Sequence, residues 1–150
     1  MKSKKPIHIL LVEDNEGDVV LTKEALEEIS INITLSVLKD GKQAIDFLNH
    51  IGEDTDLTFP DLMLLDINLP KKNGHEVLQY VKENEKFKHI PVIMLTTSSS
   101  ERDINLSYTN HANCYITKPS DVDEYIEALS ATANFWLNIC KLPNQKRASI

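Results

Sequence analysis

Short apolar segments alternate with amphipathic segments along almost the whole chain, and this alternation limits the possible folds more than any other feature. The three strongest apolar segments are IHILLV (7–12), DLMLLD (61–66) and PVIMLT (91–96). Apolar runs of this length, bounded by turn signals, indicate buried strands. Two weaker segments, ITLSVL (33–38) and CYIT (114–117), complete the set of predicted strands, and the more alternating pattern of 33–38 predicts a strand nearer the edge of the sheet.

The segments between these strands have apolar residues at helical spacing. In residues 17–29, for example, Leu21, Ala25, Leu26 and Ile29 fall on one face. A strict strand–helix order predicts an α/β fold, in which a doubly wound, five-stranded parallel sheet carries helices on both faces. The predicted helices cover residues 17–29, 41–51, 74–84, 101–109 and 121–141.

The length of the chain, 150 residues, suits one domain, since roughly 100–200 residues is the usual domain size. The sequence contains no internal repeat and no low-complexity tract that would act as a linker. We therefore expect a single domain over residues 1–150, with a core at about 7–140, a polar loop at 52–60 and a short polar tail at 141–150.

Composition excludes some classes of protein. The net charge of −7 argues against general binding to nucleic acid or to an anionic membrane. No apolar run approaches the ~18 residues that a membrane span needs. Cys114 and Cys140 form no motif, and they fit reduced thiols in a protein of the cytoplasm.

Polar and charged side chains follow the carboxyl ends of the predicted strands. Glu13 and Asp14 follow the first strand, Asp66 ends the third, Thr96 ends the fourth, and Lys118 follows the fifth. Ligands of open parallel sheets bind outside the carboxyl ends of the strands. We therefore expect these five residues to lie together at one edge of the sheet.

The charges of this group indicate which chemistry is possible. Three clustered carboxylates repel one another and favour a bound cation or a proton. Mg²⁺ suits a site made only of oxygen atoms, and Mg²⁺ beside Lys118 suits a phosphoryl group. Asp66 would be the nucleophile that forms an aspartyl phosphate, and Thr96 could donate a hydrogen bond to a phosphoryl oxygen.

Each residue taken alone has a simpler interpretation. Residues 13–15 could form only a turn between a strand and a helix, with Asn15 or Asp18 capping that helix. Lys118 alone would be an ordinary solvated lysine, although Pro119 after it predicts a tight turn of the kind that often holds a cis peptide bond. The occurrence of all these residues at strand ends favours a functional site over these simpler interpretations.

The pattern resembles the receiver domain of bacterial two-component response regulators. The resemblance implies a flavodoxin-like (βα)5 fold and a signalling protein that accepts a phosphoryl group from a sensor histidine kinase. It implies no enzyme activity beyond the protein's own phosphorylation and slow dephosphorylation. The likeness extends from about residue 7 to residue 140 and rests on ILLVEDN (9–15), DLMLLDINLPKKNG (61–74), PVIMLTT (91–97) and YITKP (115–119).

The same resemblance implies a role for each matching residue. Asp66 corresponds to the phosphoacceptor, and Lys118 corresponds to the lysine that contacts the phosphoryl group. Asp14, Asp66 and the backbone carbonyl of Asn68 correspond to the protein ligands of Mg²⁺, and Glu13 acts on the metal mainly through water.

Thr96 and Tyr115 correspond to the switch pair, in which the aromatic rotamer follows the hydroxyl. Two residues depart from the common receiver pattern. Thr97 stands where alanine is more usual, and Ser120 stands where an aromatic residue is frequent. We expect both differences to affect the rates of the reaction and not its nature.

A narrower resemblance connects the chain with stand-alone regulators that pair with cyanobacterial and bacterial phytochrome kinases. It rests on the acidic loop before the third strand, on LTTS after the fourth and on ANFWLNICKLP near the end. It implies a phytochrome-type kinase partner, a homodimer formed through the last helix and strand, and a downstream protein that the sequence does not identify. It also implies that no DNA-binding output domain is attached.

The last predicted helix carries more apolar residues than one packing face requires. One stripe is predicted to pack on the sheet: Val122, Ile126, Leu129, Ala133, Trp136 and Cys140. Tyr125, Phe135 and Ile139 lie on a neighbouring face and are the predicted interface, with Leu137 widening the apolar band. The alternative is that the tail folds back over these residues.

Two other functions remain as alternatives. A Mg²⁺-dependent phosphatase that forms an aspartyl phosphate would need a second acid two residues after its nucleophile, where this chain has Asn68. A flavin or nucleotide binder would need a loop rich in backbone donors, and the four glycines do not cluster.

Overall fold

The five apolar segments form one parallel sheet, so the predicted α/β fold is confirmed. The structure is a computed structural model, and it describes residues 6–53 and 58–143. The strands are β1 (Ile7–Val12), β2 (Ile33–Leu38), β3 (Leu62–Leu65), β4 (Val92–Thr96) and β5 (Cys114–Thr117). The helices are α1 (Glu16–Glu27), α2 (Gly41–Glu53), α3 (Gly74–Glu83), α4 (Glu101–Thr109) and α5 (Val122–Asn134), and a π-helical turn (Phe135–Ile139) follows α5.

The strand order β2-β1-β3-β4-β5 places β2 at an edge, as its alternating pattern predicts. The parallel register aligns the carboxyl ends of neighbouring strands. Val12 is paired with Leu65, Leu65 with Met94, and Thr96 with Thr117. The residues that follow these strands therefore emerge at the same edge of the sheet.

The core fixes this register because alternate residues of each strand enter different layers. Leu10, Val12, Met63 and Leu65 pack with α2 and α3, whereas Ile9, Leu11, Leu62 and Leu64 pack with α1 and the end of α5. A slip of one residue would exchange the two sets. Because burying one such side chain contributes roughly 1.5–3 kcal/mol, a slipped register would be strongly disfavoured.

Side-chain caps start the helices close to the strand ends. Asn15 accepts a hydrogen bond from the backbone of α1, Asn73 and Glu76 form a capping box at α3, and Ser100 and Asp121 cap α4 and α5. Such a cap contributes about 1 kcal/mol to helix stability. These caps keep the strand–helix connections short at the edge where the polar residues gather.

The buried face of α5 differs from the predicted one. Tyr125 is only 3% exposed and packs with Ala25, Leu95 and Leu129, whereas Val122, predicted to be buried, is 53% exposed. The observed face differs from the predicted one because α5 packs against α1 as well as on the sheet. The buried stripe of α5 is therefore rotated toward α1. The prediction of Tyr125 as an interface residue is therefore wrong.

Phe135 and Ile139 remain exposed, at 47% and 65%, while Trp136 and Leu137 are partly buried against the core layer on the α1 side. Residues 144–150 of the predicted polar tail lie outside the described residues, as do residues 54–57 of the predicted loop. The proposal that the tail covers the end of α5 therefore stays untested. In the described part of the chain, every helix falls short of the length and hydrophobicity that a membrane span requires.

Candidate functional site

The site is built on backbone hydrogen bonds that continue just past the strand ends. The N–H of Glu13 donates to the carbonyl of Leu38 at 2.9 Å, and the N–H of Asp66 donates to the carbonyl of Val12 at 3.1 Å. At the ends of β4 and β5, the backbone N–H of Lys118 donates to the carbonyl of Thr96 at 2.7 Å. The side chains of Glu13, Asp66 and Lys118 thus start from backbone that is fixed by the sheet. The peptide bond between Lys118 and Pro119 is trans, so the expected cis bond is absent.

Three carboxylates converge at the centre of this edge. Glu13, Asp14 and Asp66 each offer an oxygen, and these oxygens all lie within 4.8 Å of one another. Glu13 and Asp66 are buried, whereas Asp14 is exposed to solvent. A compact set of hard oxygen donors that keeps one side open to water fits Mg²⁺, and it does not suit metals that prefer sulfur or nitrogen ligands.

The side chain of Lys118 enters the same cluster and is only 4% exposed. Its Nζ donates to Glu13 Oε1 at 2.6 Å, to Asp18 Oδ2 at 2.8 Å and to Asp66 Oδ2 at 3.3 Å. The ammonium has three protons, so these three carboxylates satisfy it completely. Lys118 is therefore the cation that allows several acids to be buried together.

Burial and pairing shift the pKa values of this cluster. Burial raises the pKa of Glu13 to about 7, although the hydrogen bond from Lys118 opposes this shift. Burial alone would lower the pKa of Lys118, but the hydrogen bonds to Asp18 and Glu13 outweigh burial and hold that pKa above its usual range. Lys118 is therefore charged at neutral pH, as a group that offsets phosphoryl charge has to be.

Asp18 was not among the predicted site residues. The sequence indicated it only as a possible helix cap. It is the third residue of α1, and the side chain of Asn15 caps the helix by accepting the N–H of Asp18 at 3.0 Å. A signal was present in the sequence, because Asp18, Thr22 and Ala25 share one helical face. Thr22 and Ala25 are buried, so Asp18 lies at the end of the face that α1 turns inward.

The loop after β3 approaches the backbone of Asp66 closely. A Cβ at Gly74 would lie 2.1 Å from the carbonyl oxygen of Asp66, so only glycine fits there. The N–H of Gly74 donates to the carbonyl of Ile67 at 2.8 Å. Asn68 is exposed in this loop, and its N–H approaches Asp66 Oδ1 at 3.4 Å. The start of α3 is thus packed closely against the backbone of Asp66 and hydrogen-bonded to Ile67, the next residue.

Thr96 is fully buried at the end of β4, and hydrogen bonds connect it to the loop that follows. The N–H of Ser98 approaches Thr96 Oγ1 at 3.4 Å, and the hydroxyl of Tyr115 donates to the carbonyl of Ser98 at 2.8 Å. The two predicted switch residues are therefore linked through one intervening residue. Ser98 was not among the predicted site residues.

The same loop is linked to α4 and α3. Asp103 accepts from the hydroxyl of Ser98 at 2.6 Å and lies 2.9 Å from His75 Nε2. The hydrogen bonds from Ser98 and His75 lower the pKa of Asp103. A path of polar contacts therefore runs from the end of β4 to the first turn of α3.

Comparison with known families identifies the family to which this geometry belongs. The response regulator receiver domain family matches residues 9–130. The chain belongs to this family. The receiver is 43% identical to the response regulator Rcp1 of Synechocystis sp. over 142 residues, which are 95% of this chain and 97% of Rcp1.

Solved structures agree with the sequence comparison. The receiver superposes on the phosphorylated cyanobacterial phytochrome response regulator RcpA with a TM-score of 0.88 and 41% identity, covering 93% of this chain and all of that one. The Mn²⁺-bound form of Rcp1 gives a TM-score of 0.87 over 93% of this chain. The predicted family and the narrower resemblance to phytochrome response regulators are therefore confirmed. A further relative, the probable methanogenesis regulatory protein FilR2 of Methanothrix harundinacea, is 36% identical over 95% of this chain and 92% of its own length.

Proposed function

We propose that the receiver accepts a phosphoryl group on Asp66 from the phosphohistidine of a sensor histidine kinase, in a Mg²⁺-dependent reaction. One observation carries the proposal. Among the described residues, Asp66 alone combines membership of the carboxylate cluster with a buried position at the end of the central strand and a direct contact with Lys118. A carboxylate in such a position can act as a nucleophile toward phosphorus.

The transfer exchanges one bond for another. A carboxylate oxygen of Asp66 forms a bond to phosphorus while the bond between phosphorus and the imidazole nitrogen of the kinase breaks. The electron pair of the broken bond remains on that nitrogen. Lys118 offsets the negative charge of the phosphoryl oxygens, and the buried hydroxyl of Thr96 is the proposed donor to one of them.

The residues at the site fit Mg²⁺, which would offset phosphoryl charge and orient the group when bound. Asp14, Asp66 and the backbone carbonyl of Asn68 would hold the ion, and Glu13 would act mainly through water. The engagement of Glu13 supports this division, since its two oxygens already accept from Lys118 at 2.6 Å and from the N–H of Asn15 at 3.2 Å. The exposed carboxylate of Asp14 is more available for direct coordination.

Asp14→Asn should therefore weaken Mg²⁺ binding more than Glu13→Gln does. Asp14→Asn replaces a ligand that would contact the ion directly, whereas Glu13→Gln replaces a group that would act on the ion mainly through water. Isothermal titration calorimetry on the two isosteric variants measures the difference. Equal losses of affinity would contradict the assignment of Asp14 as the direct ligand.

Incubation with a small phosphodonor and Mg²⁺, followed by intact-mass measurement, tests the proposed function. A receiver gains one phosphoryl group that persists long enough to be weighed, whereas a phosphatase turns the donor over without accumulating label. A nucleotide binder would do neither. The structure favours the receiver over the phosphatase, because exposed Asn68 stands where the phosphatase needs a general acid and an amide cannot protonate a leaving group.

We propose further that Thr96 and Tyr115 form the switch. Phosphorylation would draw the Thr96 hydroxyl toward the phosphoryl group, and Tyr115 would give up its hydrogen bond to Ser98 and turn inward. The surface formed by α4, β5 and α5 would then change, because Tyr115 belongs to β5 and Ser98 precedes α4.

Thr96→Ala should leave Asp66 reactive but uncouple this surface. The variant removes the hydroxyl that senses the phosphoryl group while keeping a small side chain in the buried position. Backbone NMR spectra before and after phosphorylation measure the effect. If Thr96→Ala shows the same pattern of shifts over α4, β5 and α5 as the wild type, the proposed coupling is wrong.

The kinase partner is proposed to be of the phytochrome type, because the receiver is similar to Rcp1 and RcpA over nearly their whole lengths. Location in the cytoplasm belongs to the same proposal. Phosphotransfer rates from purified phytochrome-type kinases and from unrelated histidine kinases test it. Equal rates from both groups would count against a specific phytochrome partner.

A homodimer through the last helix and strand is the last part of the proposal. Because Tyr125 is buried, the remaining interface candidates are Phe135 and Ile139, both exposed apolar residues on the turn that follows α5. Adjacent exposed apolar groups favour contact with a second surface. A symmetric dimer would use this patch on both subunits.

Phe135→Asp should yield a monomer that still accepts phosphate at Asp66, because a buried unpaired carboxylate at the dimer contact is strongly unfavourable. Light scattering coupled to size exclusion measures the mass. Val20→Asp is the matched control, since Val20 is an equally exposed apolar residue on α1. An unmodified protein that is monomeric at high micromolar concentration, with or without phosphate, would refute the dimer.

A further inference from the structure

Lys118 divides its three hydrogen bonds unequally. The contacts with Glu13 at 2.6 Å and with Asp18 at 2.8 Å have the length of charge-assisted hydrogen bonds. The contact with Asp66, at 3.3 Å, is longer than the usual range for a nitrogen donor and an oxygen acceptor. The ammonium is therefore drawn toward α1 and partly away from the proposed phosphoacceptor.

We propose that Asp18 is a positioning residue that holds Lys118 back from Asp66 in the unphosphorylated protein and thereby slows phosphoryl transfer. The proposal rests on the function proposed above. Glu13 is buried and also binds the backbone of Asn15, so it belongs to the fixed part of the site. Asp18, whose side chain is 23% exposed, is the partner that Lys118 can leave with least cost, because water can replace the lysine there.

The local structure of α1 fixes Asp18 in this role. The N–H of Asp18 is bound by Asn15, and its carbonyl accepts from the hydroxyl of buried Thr22 at 2.8 Å. In a capping box, an acid at this third position turns back to the N–H of the cap residue. Here that N–H donates to Glu13 at 3.2 Å, which leaves the carboxylate of Asp18 directed to Lys118.

After phosphoryl transfer, Asp18 and the phosphoryl group on Asp66 would compete for Lys118. Once it has been transferred to Asp66, its oxygens carry more negative charge than the original carboxylate, and Lys118 has to exchange Asp18 for them. The strength of the contact between Asp18 and Lys118 is then part of the barrier to transfer. Weakening this contact should therefore favour the arrangement in which the lysine faces the phosphoryl group.

Asp18→Asn tests the proposal, because it keeps the shape of the side chain and removes its charge. At saturating Mg²⁺, the rate of phosphorylation by acetyl phosphate should rise roughly three- to tenfold, the range expected when a partly exposed charge-assisted hydrogen bond is weakened. The half-saturating donor concentration should change less than the maximal rate. Asp18→Glu, which restores the charge, should return the rate toward that of the wild type.

A second readout does not depend on activity. Beryllofluoride, an analogue of the phosphoryl group, should bind Asp18→Asn more tightly than the wild type in the presence of Mg²⁺. The ¹⁵N signal of the Lys118 ammonium should start closer to its beryllofluoride-bound position in the variant. Glu16→Gln is the matched control, because Glu16 lies on the same turn but pairs with Lys39, and it should leave both readouts unchanged.

The outcomes separate this inference from the proposed function. If the wild type accepts no phosphoryl group, the proposed function fails and the inference fails with it. If the wild type is phosphorylated but Asp18→Asn reacts at the same rate or more slowly, only the inference is overturned. A rate increase in Glu16→Gln equal to that in Asp18→Asn would also overturn it, because the effect would then come from net charge. Asp18→Ser, which keeps a polar group at this helix position, should show the same acceleration as Asp18→Asn if the contact with Lys118 is what matters.

Discussion

Asp66→Asn is expected to abolish phosphoryl acceptance from either a kinase or a small phosphodonor, lowering the rate on the order of 10⁴-fold or more, as loss of a reacting nucleophile does in enzymes. The amide has the same shape as the carboxylate, so the fold should persist, but its oxygen is a poor nucleophile. Glu13 should not take over, because it is only 1% exposed and its Oε1 is held by Lys118 at 2.6 Å, whereas the two contacts to the Asp66 oxygens are longer, at 3.3 and 3.4 Å.

Intact-mass measurement after incubation with acetyl phosphate and Mg²⁺ provides the readout, and peptide mapping locates the label in the wild type. Asp46→Asn is the control, since Asp46 is an exposed acid of α2 that pairs with Lys42. Labelling of Asp66→Asn to the extent of the wild type would show that the acceptor has been assigned to the wrong residue.

Lys118→Met should lower the free energy of unfolding by about 3–5 kcal/mol at neutral pH in the absence of Mg²⁺, the range measured when one partner of a buried ion pair is removed. Methionine fills a similar volume, so the loss comes from charge and not from a cavity. It leaves three carboxylates, those of Glu13, Asp18 and Asp66, without their shared cation. Phosphoryl acceptance should fall as well, since the group that offsets phosphoryl charge is gone.

Urea denaturation measures this change in stability. Mg²⁺ should restore part of the lost stability in Lys118→Met, because the ion offsets the same carboxylates. Lys39→Met, which removes a lysine paired with exposed Glu16, should leave the unfolding free energy unchanged within error. Equal stability losses in the two variants would mean that the cluster around Lys118 is not the source of the effect.

The sequence predicts the sheet well because the physical signal for it is strong. The runs around Leu64 and Ile93 are long, apolar and sharply bounded, so the strands and their ends can be placed from the sequence alone. The placement of Glu13, Asp14, Asp66 and Lys118 at one edge of the sheet follows from the parallel strand direction, whereas their close contact also depends on the strand order, which places β3 beside β1.

The sequence could not predict which side chains of α5 are buried. Helical periodicity gives the apolar faces of an isolated helix, but the choice between them depends on its neighbours. Tyr125 is buried because Ala25 of α1 leaves room beside Leu95, and no feature of α5 itself records that space. The role of Asp18 was missed for a related reason, since the direction of its side chain depends on Glu13 occupying the N–H of Asn15.

The approach of Gly74 to the carbonyl of Asp66 has a mechanical consequence. A Cβ at Gly74 would overlap that carbonyl, so the two backbone segments are packed without a gap, and the start of α3 and Asp66 have to move together. On the opposite side, Ser98 and Tyr115 are joined by a hydrogen bond that can change partner at small cost. The α3 side of Asp66 is therefore rigid, whereas the side of Ser98 and Tyr115 can rearrange. A displacement at Asp66 should be transmitted toward Ser98 and Tyr115.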